Sequence, residues 1–455
     1  MIVSINPYTG ELLKEFSPIS PKEIAEKIFN ADAAYKKWKS VSFSERKKLM
    51  LQFAEKLLLH KKENAELITL EMGKLIIESE LEIEKCARMC KYYAENAEIF
   101  LAEEKVETDA TKSFVRYESI GVVLSVMPWN FPFWQALRFA VPALMAGNVC
   151  LLKHASNVPQ CALEIEKLFI ESGFPSHVFQ TLLIEAKDVE SVIEHPAVKA
   201  VTLTGSEKAG SHVASVAGKH IKKSVLELGG SDPFIVFEDA DIKKAVINAA
   251  KSRLGNDGQS CIAAKRFIVS EKIVDEFTQQ LKEKFLKLKK GNPADRHTEI
   301  GVMAREDLAI ELEKQMNQSI ALGAKLICGG KREKAFFEPT ILSGVTPGMS
   351  AFDEELFGPI APIISFSTEE EAIELANKSE FGLGGSIWTN DKEKGIKFAT
   401  QVESGSVYVN MLMKSDQRMP FGGVKKSGYG RELGLHGIRE FVNVKSVMVG
   451  YLSFF

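Results

Sequence analysis

The sequence has few cysteines, almost no net charge and no long uninterrupted apolar run. Six Cys among 455 residues do not make a disulfide framework, so we expect a reducing compartment, the cytoplasm. The 58 Lys and Arg alternate with 61 Asp and Glu instead of clustering, which gives no signal for binding nucleic acid. Residues 121–137 carry no charge, but Pro128, Asn130 and Pro132 interrupt them, and residues 1–7 lack a signal-peptide pattern. We therefore expect no membrane span.

What is present is the composition of a globular protein, with 45% hydrophobic and 26% charged residues. A chain of this length predicts two or three folding units. Helical periodicity begins at Ser20, whose position before Pro21 and Glu23 is typical of a helix N-cap. Cys86 and Cys90 share a face of a later predicted helix, but no further Cys or His pair completes a metal site. We interpret them as packing residues and expect no metal.

Buried strands and helices alternate from residue 120 onward. Strands are predicted near residues 121–127, 149–153, 178–183 and 200–203, and helices near residues 133–146, 159–172, 188–195 and 207–218. This alternation predicts an α/β fold with a parallel, doubly wound sheet. A second α/β unit follows Leu228, with a long helix predicted over residues 271–289. The tail from residue 438 to 449 is predicted to be a strand.

Two reactive side chains lie beside small-residue turns in the middle of the chain. Glu227 ends a predicted strand just before Gly229 and Gly230, and Cys261 follows the sequence Gly-Gln-Ser. A lone Cys is more often a small buried hydrophobe, and a Glu at a strand end is more often solvated. Together they favour a thiol nucleophile with a carboxylate base.

A third element is the sequence PWNFP at residues 128–132, which holds the Asn130 amide in a fixed loop. Alone it is interpreted as a rigid turn. In the order Asn130, Glu227, Cys261 the three elements resemble the aldehyde dehydrogenase superfamily. The resemblance implies a Rossmann-type dinucleotide-binding domain (residues 1–105 and 120–228) and a catalytic domain (residues 229–431). It also implies a small β oligomerisation arm (residues 106–119 and 432–455) in a homodimer or homotetramer.

The resemblance also implies a site for NADP or NAD. Gly205, Ser206 and Gly210 form a strand–turn–helix element whose free N–H groups suit a pyrophosphate, although such a turn is commonly only an N-cap. The other residues that it assigns to the cofactor are Lys153, Ser156, Trp129, Leu228, Glu355 and Phe357. Many NAD-preferring members carry Glu where this chain has Ser156. Because a hydroxyl donates to a 2′-phosphate that a carboxylate repels, we predict that NADP is preferred.

The implied reaction oxidises an aldehyde to a carboxylic acid. Cys261 attacks the carbonyl, the Asn130 amide and the Cys261 N–H stabilise the oxyanion, and Glu227 deprotonates the water that hydrolyses the thioester. A thiol of ordinary pKa, ~8.5, is mostly protonated at neutral pH. The sequence therefore predicts that the site lowers the pKa of Cys261, through Glu227 or the cofactor charge.

Within the superfamily, residues 419–432 resemble those of bacterial succinate-semialdehyde dehydrogenases. Arg138 matches an Arg that grips the substrate carboxylate in that subgroup, although it also fits a charge on a helix surface. Some members have a second Arg for the substrate carboxylate, and this chain has Gly255 at that position. We therefore expect Ser415 or Arg418 to be the second group that binds the carboxylate.

Three alternatives remain. A broad-specificity aldehyde dehydrogenase would have Phe133 and Trp134 along an apolar tunnel. A catalytically silent structural or binding relative would usually lack Cys261 or Glu227. An acylating dehydrogenase, which passes its thioester to coenzyme A, would usually lack Glu227.

Overall fold

A computed structural model describes residues 1–450, and its strands form two large mixed sheets that are mostly parallel. Over these residues the α-helices are α1 Pro21–Trp38, α2 Phe43–Leu59, α3 Lys61–Met72, α4 Ile76–Phe100, α5 Pro132–Met145, α6 Pro159–Glu171, α7 Val189–Glu194, α8 Glu207–Lys219, α9 Ile242–Leu254, α10 Val274–Leu286, α11 Glu306–Ala321, α12 Ser350–Asp353, α13 Glu369–Asn377, α14 Lys392–Ala399 and α15 Gly434–Glu440. None of them is both long and apolar enough to cross a membrane.

The strands over the same residues are β1 Ile2–Ile5, β2 Leu12–Phe16, β3 Glu104–Lys105, β4 Lys112–Ser119, β5 Val122–Met127, β6 Val149–His154, β7 Phe179–Thr181, β8 Val198–Thr204, β9 Lys223–Glu227, β10 Asp232–Val236, β11 Ala264–Ser270, β12 Lys325–Cys328, β13 Arg332–Glu333, β14 Phe336–Phe337, β15 Thr340–Ser343, β16 Ile360–Phe366, β17 Phe381–Gly382, β18 Gly384–Trp388, β19 Ser406–Val409, β20 Val424–Lys425, β21 Gly428–Tyr429 and β22 Val442–Val449.

The first large sheet has the strand order β21-β9-β8-β5-β6-β7. Its strands are parallel except β21, which pairs antiparallel with β9. The predicted doubly wound α/β sheet is therefore confirmed. The carboxyl ends of β5, β6, β8 and β9 lie at one edge of this sheet, where open α/β sheets bind their ligands.

The second large sheet has the order β12-β15-β16-β11-β10-β18-β19 and is parallel except for β12. The loop between α9 and β11 leads into this sheet and carries Cys261. The two sheets therefore supply the two halves of the candidate site: the first sheet carries Asn130 and Glu227, and the second carries the nucleophile.

Helix α5 lies between the first sheet and helices α2 and α4, and every one of its side chains is buried. A helix that is apolar all round belongs in a core. The polar exceptions on α5 are Gln135 and Arg138, which are 2% exposed each. Because burying a polar group without a partner is costly, we expect each of these two side chains to be paired with another polar group.

Outside the two large sheets, β22, β4 and β3 form a three-stranded sheet in that order. β22 pairs with β4 along its whole length, from Val442 opposite Ser119 to Val449 opposite Lys112. This sheet contains part of the predicted arm, of which residues 451–455 lie outside the described residues, and its role in assembly stays a prediction.

The strand predicted over residues 438–449 is present as β22, Val442–Val449, but it begins later than predicted because residues 434–440 form helix α15. Ile438 is buried and the Phe441 ring packs edge-to-face on Phe139 of α5, with ring centroids 5.3 Å apart. Burial of this short apolar face against α4 and α5 therefore outweighs the strand-like pattern. The helix predicted over residues 271–289 is shorter, Val274–Leu286, and the strand predicted over residues 178–183 is Phe179–Thr181.

Candidate active site

A cavity of about 260 Å³ lies where the two large sheets meet. Its wall contains Pro128, Trp129, Asn130, Gln135, Thr204, Gly205, Ser206, Leu228, Gly229, Cys261, Leu308, Glu355 and Phe357. The structure thus brings together residues from six separate segments of the sequence. The Trp129 and Phe357 rings meet edge-to-face across it, with centroids 5.8 Å apart.

The Asn130 side chain is held in one orientation. Its Nδ2 donates to the Gln259 carbonyl at 3.1 Å, and its Oδ1 accepts from Gln135 Nε2 at 3.5 Å. An amide NH₂ has two hydrogens, and this arrangement uses one of them. The second hydrogen is available for an oxyanion that forms at a carbon bonded to Cys261, because Asn130 and Cys261 line the same cavity.

The loop before the nucleophile has an unusual backbone. Asn256, Asp257 and Gly258 have φ of 55°, 52° and 76°, three successive residues in the left-handed region that only glycine adopts at no cost. Hydrogen bonds hold this conformation: Asn256 Nδ2 donates to the Asn130 carbonyl at 2.9 Å, and Asp257 Oδ1 accepts from the Gly301 N–H at 2.8 Å. The loop therefore ties the nucleophile segment directly to the backbone of Asn130.

Lys265 fixes the backbone on the other side of Cys261. Its Nζ donates to the Cys261 carbonyl at 2.7 Å and to the Ser260 carbonyl at 2.9 Å, and it pairs with Glu355 Oε1 at 3.0 Å. The sequence reasoning missed this residue. The available signal was a charged residue inside β11, a strand whose seven residues are all buried.

Glu355 lies against the Gly229–Gly230 turn. Its Oε1 accepts from the Gly230 N–H at 3.1 Å, and a Cβ on Gly229 would lie 2.4 Å from its Oε2. A side chain at Gly229 would therefore push the carboxylate out of place. Lys265 and this turn together hold the Glu355 carboxylate in the wall of the cavity, beside Phe357.

The Cys261 thiol is half-buried and has a raised pKa. Burial raises the pKa to about 11, while the charges of Lys265 and Arg138 act in the opposite direction. In the ligand-free chain the protein alone does not lower the pKa of this thiol, because desolvation of the thiolate exceeds the attraction of the two cations. That the cofactor charge lowers it stays a prediction. A thiol with this pKa is almost entirely protonated at neutral pH, so it reacts slowly unless a further positive charge or a base acts on it.

Glu227 is 2% exposed, so the interpretation of a solvated strand end was wrong. Neither carboxylate oxygen has a hydrogen-bond partner among residues 1–450. Burial raises the pKa of Glu227 well above its ordinary value, the charge of Glu432 adds to this effect, and Arg138 opposes it. A carboxyl group with a raised pKa and no fixed partner is suited to accept a proton from water near neutral pH.

Arg138 forms a buried ion pair with Glu432, and its Nη2 donates to Thr204 Oγ1 at 3.3 Å. Its guanidinium also lies over the Phe421 ring, 4.7 Å from the centroid. The interpretation of Arg138 as a helix-surface charge was therefore wrong. Its charge acts on the pKa of both Cys261 and Glu227, so it lies close to both groups without lining the cavity.

The family of the chain follows from comparison with known proteins. The sequence model of the aldehyde dehydrogenase family matches residues 1–447. The chain belongs to the aldehyde dehydrogenase family. This aldehyde dehydrogenase is 48% identical over 451 residues to a protein of Synechocystis sp. named probable succinate-semialdehyde dehydrogenase (NADP(+)), which covers 98% of this chain and 99% of the relative. It is 46% identical to the Mycobacterium leprae succinate-semialdehyde dehydrogenase (NADP(+)) over 454 residues, 98% of this chain and 99% of that protein.

A solved structure shows the same architecture. The crystal structure of succinic semialdehyde dehydrogenase from Streptococcus pyogenes, in complex with NADP+, superposes with a TM-score of 0.97 at 38% identity and covers 99% of this chain and 100% of that one. The aldehyde dehydrogenase fold expected from the sequence is therefore confirmed.

Most of the predicted cofactor residues of this aldehyde dehydrogenase lie together. Trp129, Gly205, Ser206, Leu228, Glu355 and Phe357 all line the cavity that contains Cys261. Gly210 lies in α8, where a Cβ would come within 2.5 Å of Leu228 Cδ2, so it permits the close packing of α8 on the turn after β9. Ser206 caps α8 by accepting from the Ala209 N–H at 3.4 Å.

Lys153 lies in β6 and Ser156 follows this strand, both near the same edge of the sheet. Lys153 is half-buried, and burial lowers its pKa. Ser156 is exposed and lines a neighbouring cavity of about 570 Å³ with Arg305 and Lys334 in its wall. The same wall contains Glu306 and Asp307, and Arg305 pairs with Asp307, so both cations and carboxylates lie in the wall that Ser156 shares.

None of the predicted substrate residues of this aldehyde dehydrogenase, Arg138, Ser415 and Arg418, lines the cavity that contains Cys261. Ser415 is buried and accepts from Lys85 Nζ at 2.5 Å. Arg418 is exposed, donates through Nε and Nη2 to Asp416, and lines none of the cavities described here. Phe133 is fully buried, whereas Trp134 lines a separate cavity of about 390 Å³ beside residues 260, 262 and 263. This second cavity therefore lies beside the residues that flank Cys261.

Among residues 1–450 no group of three or more His, Cys, Asp or Glu is placed to hold a metal ion. Cys86 and Cys90 are fully buried in the core, and burial raises the pKa of both thiols.

Proposed function

We propose that this enzyme oxidises succinate semialdehyde to succinate with NADP, using Cys261 as nucleophile. One observation carries the proposal: Asn130, Cys261 and the cofactor-type residues Glu355 and Phe357 line one cavity. The relatives at 45–48% identity that are named succinate-semialdehyde dehydrogenases support the choice of substrate.

The cavity suits a dinucleotide in several respects. It is bordered by the N-terminus of α8, whose free N–H groups suit a pyrophosphate, and it ends in an aromatic pair of Trp129 and Phe357. We assign Lys153 and Ser156 to the adenosine ribose and its 2′-phosphate, and Glu355 to the other ribose. A nicotinamide ring held there would supply the hydride acceptor for oxidation of the carbon bonded to Cys261.

The side chains of the protein itself carry out the steps that do not involve the cofactor. The Cys261 sulfur bonds to the aldehyde carbon, and the free hydrogen of the Asn130 amide and the Cys261 N–H receive the oxyanion, each such donor typically lowering the barrier by about 3–4 kcal/mol. After oxidation the carbon is held as a thioester on Cys261. Glu227 then takes a proton from water, which attacks the thioester and releases the acid and the thiol.

A broad-specificity aldehyde dehydrogenase is the second candidate. It is favoured by the apolar part of the second cavity, to which Phe131, Trp134, Ile262 and Leu412 contribute, and by the commitment of Arg138 to Glu432. An uncharged aldehyde would bind such a wall without a cation.

We further propose that the enzyme acts in the cytoplasm and assembles as a homodimer or homotetramer through the sheet β22-β4-β3. β3 has one neighbour, so its other edge has free backbone groups with which another chain can pair.

The test is kcat/KM for succinate semialdehyde, butanal and benzaldehyde, each with NADP and with NAD. We expect succinate semialdehyde with NADP to give the highest value, by tenfold or more, as about 1.4 kcal/mol of carboxylate recognition would produce. Equal values for butanal would instead support the broad-specificity enzyme. Loss of all activity in Cys261→Ala is expected in either case.

A further inference from the structure

The second cavity contains a cation without a carboxylate partner. Lys85 lines this cavity, its Nζ lies 3.8 Å from the centroid of the Trp134 ring, and it donates to Ser415 Oγ at 2.5 Å. Burial, together with a smaller effect of the nearby charge of Arg138, lowers its pKa to about 8. Lys85 is therefore a desolvated ammonium group held by an aromatic face and one hydroxyl.

The acidic residues around Lys85 are engaged elsewhere. On its own helix, α4, Glu82 pairs with Lys74 and accepts from the Phe133 and Trp134 N–H groups, and Glu84 pairs with Lys61. Glu78 of the same helix accepts from the Asn256 N–H. Among residues 1–450 no carboxylate lies within ion-pair distance of Lys85 Nζ.

A buried cation without an internal counter-ion is costly, since its desolvation is not repaid. A ligand that carries an anionic group offsets the desolvation free energy of the ammonium group when it binds, whereas a neutral ligand of the same size does not. The cavity also contains the exposed Lys251 and Lys414, so its two acids, Glu78 and Glu82, face three lysines. Because Ser260, Ile262 and Ala263 line the same cavity, an anion at Lys85 belongs to a molecule that approaches Cys261 from this side.

We propose that Lys85, positioned by Trp134 and Ser415, binds the terminal carboxylate of the aldehyde substrate and so selects ω-oxo acids over neutral aldehydes. This inference rests on the proposed function, and it assigns the carboxylate to Lys85 because Arg138 is already paired with Glu432. The ammonium group donates to the carboxylate with its two remaining hydrogens, and the Ser415 hydroxyl adds a third donor.

The test compares Lys85→Met and Lys85→Arg with a matched control, Lys91→Met. Lys91 lies on the same helix and is exposed, and it does not line the cavity. The readout is kcat/KM for succinate semialdehyde and for butanal, which has the same four-carbon chain without the carboxylate. We expect Lys85→Met to lower the value for succinate semialdehyde by about 10- to 100-fold and that for butanal by less than about threefold, since a charged hydrogen bond is lost for one substrate only.

Lys85→Arg retains the cation and should keep most of the preference for the acid, and Lys91→Met should keep all of it. Equal losses for both aldehydes in Lys85→Met, or an unchanged preference, would overturn the inference. If the wild type shows no preference for succinate semialdehyde over butanal, the proposed substrate fails first. If the wild type and Lys85→Met prefer succinate semialdehyde over butanal to the same degree, the role of Lys85 is refuted while the proposed substrate stands.

A measurement on the wild type does not depend on the folding of a variant. Reductive methylation of Lys85, mapped by mass spectrometry, should be slowed by succinate and not by its neutral analogue succinamide. Equal modification with and without succinate would contradict an anion site at Lys85.

Discussion

The Cys261 thiol should react slowly in the cofactor-free enzyme, because burial raises its pKa to about 11. At pH 7.5 a pKa of about 11 leaves roughly 0.03% of the thiol ionised, against roughly 9% for a free Cys with a pKa of ~8.5. The ionised fraction is thus lower by about 300-fold. A thiolate of higher pKa is intrinsically more nucleophilic, which raises the rate of its attack about 10-fold. The observed reaction should therefore be about 20- to 30-fold slower than that of a free thiol.

The assay is exchange with a small aromatic disulfide, followed from pH 7 to 10 and mapped to Cys261 by mass spectrometry, with Cys261→Ala as the blank. Because the thiolate fraction grows tenfold per pH unit below the pKa, we expect the logarithm of the rate to rise steadily over this range without a plateau. Bound NADP should move the profile to lower pH through the positive nicotinamide ring. A plateau at pH 7–8 without cofactor would refute the reasoning, since the thiol would then be ionised by the protein alone.

Three further predictions follow from the same contacts. Ser156→Glu should move the ratio of kcat/KM for NADP and NAD toward NAD, because a carboxylate repels a 2′-phosphate; an unchanged ratio would exclude Ser156 from that site. Lys265→Met should raise KM for the cofactor and move the disulfide-exchange profile of Cys261 to higher pH, since it frees Glu355 and removes a cation; an unmoved profile would contradict this role. Arg138→Met should lower the free energy of unfolding by about 3–5 kcal/mol by leaving Glu432 unpaired, and adding Glu432→Gln should recover part of the loss in chemical denaturation; no difference between the single and double variants would refute the pairing.

The sheet that positions the site was predictable because its strands follow a simple local pattern. β5, β6 and β8 are short apolar runs that end at Pro, charge or Gly, and their order with the intervening helices determines a parallel sheet. Helix α15 was not predictable in the same way. Its few residues are held by contacts of Ile438 and Phe441 with helices far away in the sequence.

The residues that we propose to react are recognisable in the sequence, whereas the charged groups around them are not. Asn130, Glu227 and Cys261 each lie in or beside a recognisable turn, but Lys265 and Lys85 resemble ordinary lysines until their surroundings are known. The partner of Arg138 was also not predictable. Its spacing from Asn130 suggested that it binds the substrate carboxylate, and only the fold shows that it is paired with Glu432. The pKa of Cys261 depends on burial and on cations from two distant segments, so no local pattern predicts its direction.

Trapping of the acyl enzyme tests the central claim most directly. In Glu227→Gln the base that activates water is absent while Cys261 and Asn130 remain, so succinate semialdehyde and NADP should produce one equivalent of NADPH and a stable thioester. Intact-mass and peptide analysis should then find one succinyl group on Cys261, released by hydroxylamine. Continued turnover of Glu227→Gln at the wild-type rate, or a succinyl group on any residue other than Cys261, would contradict the account.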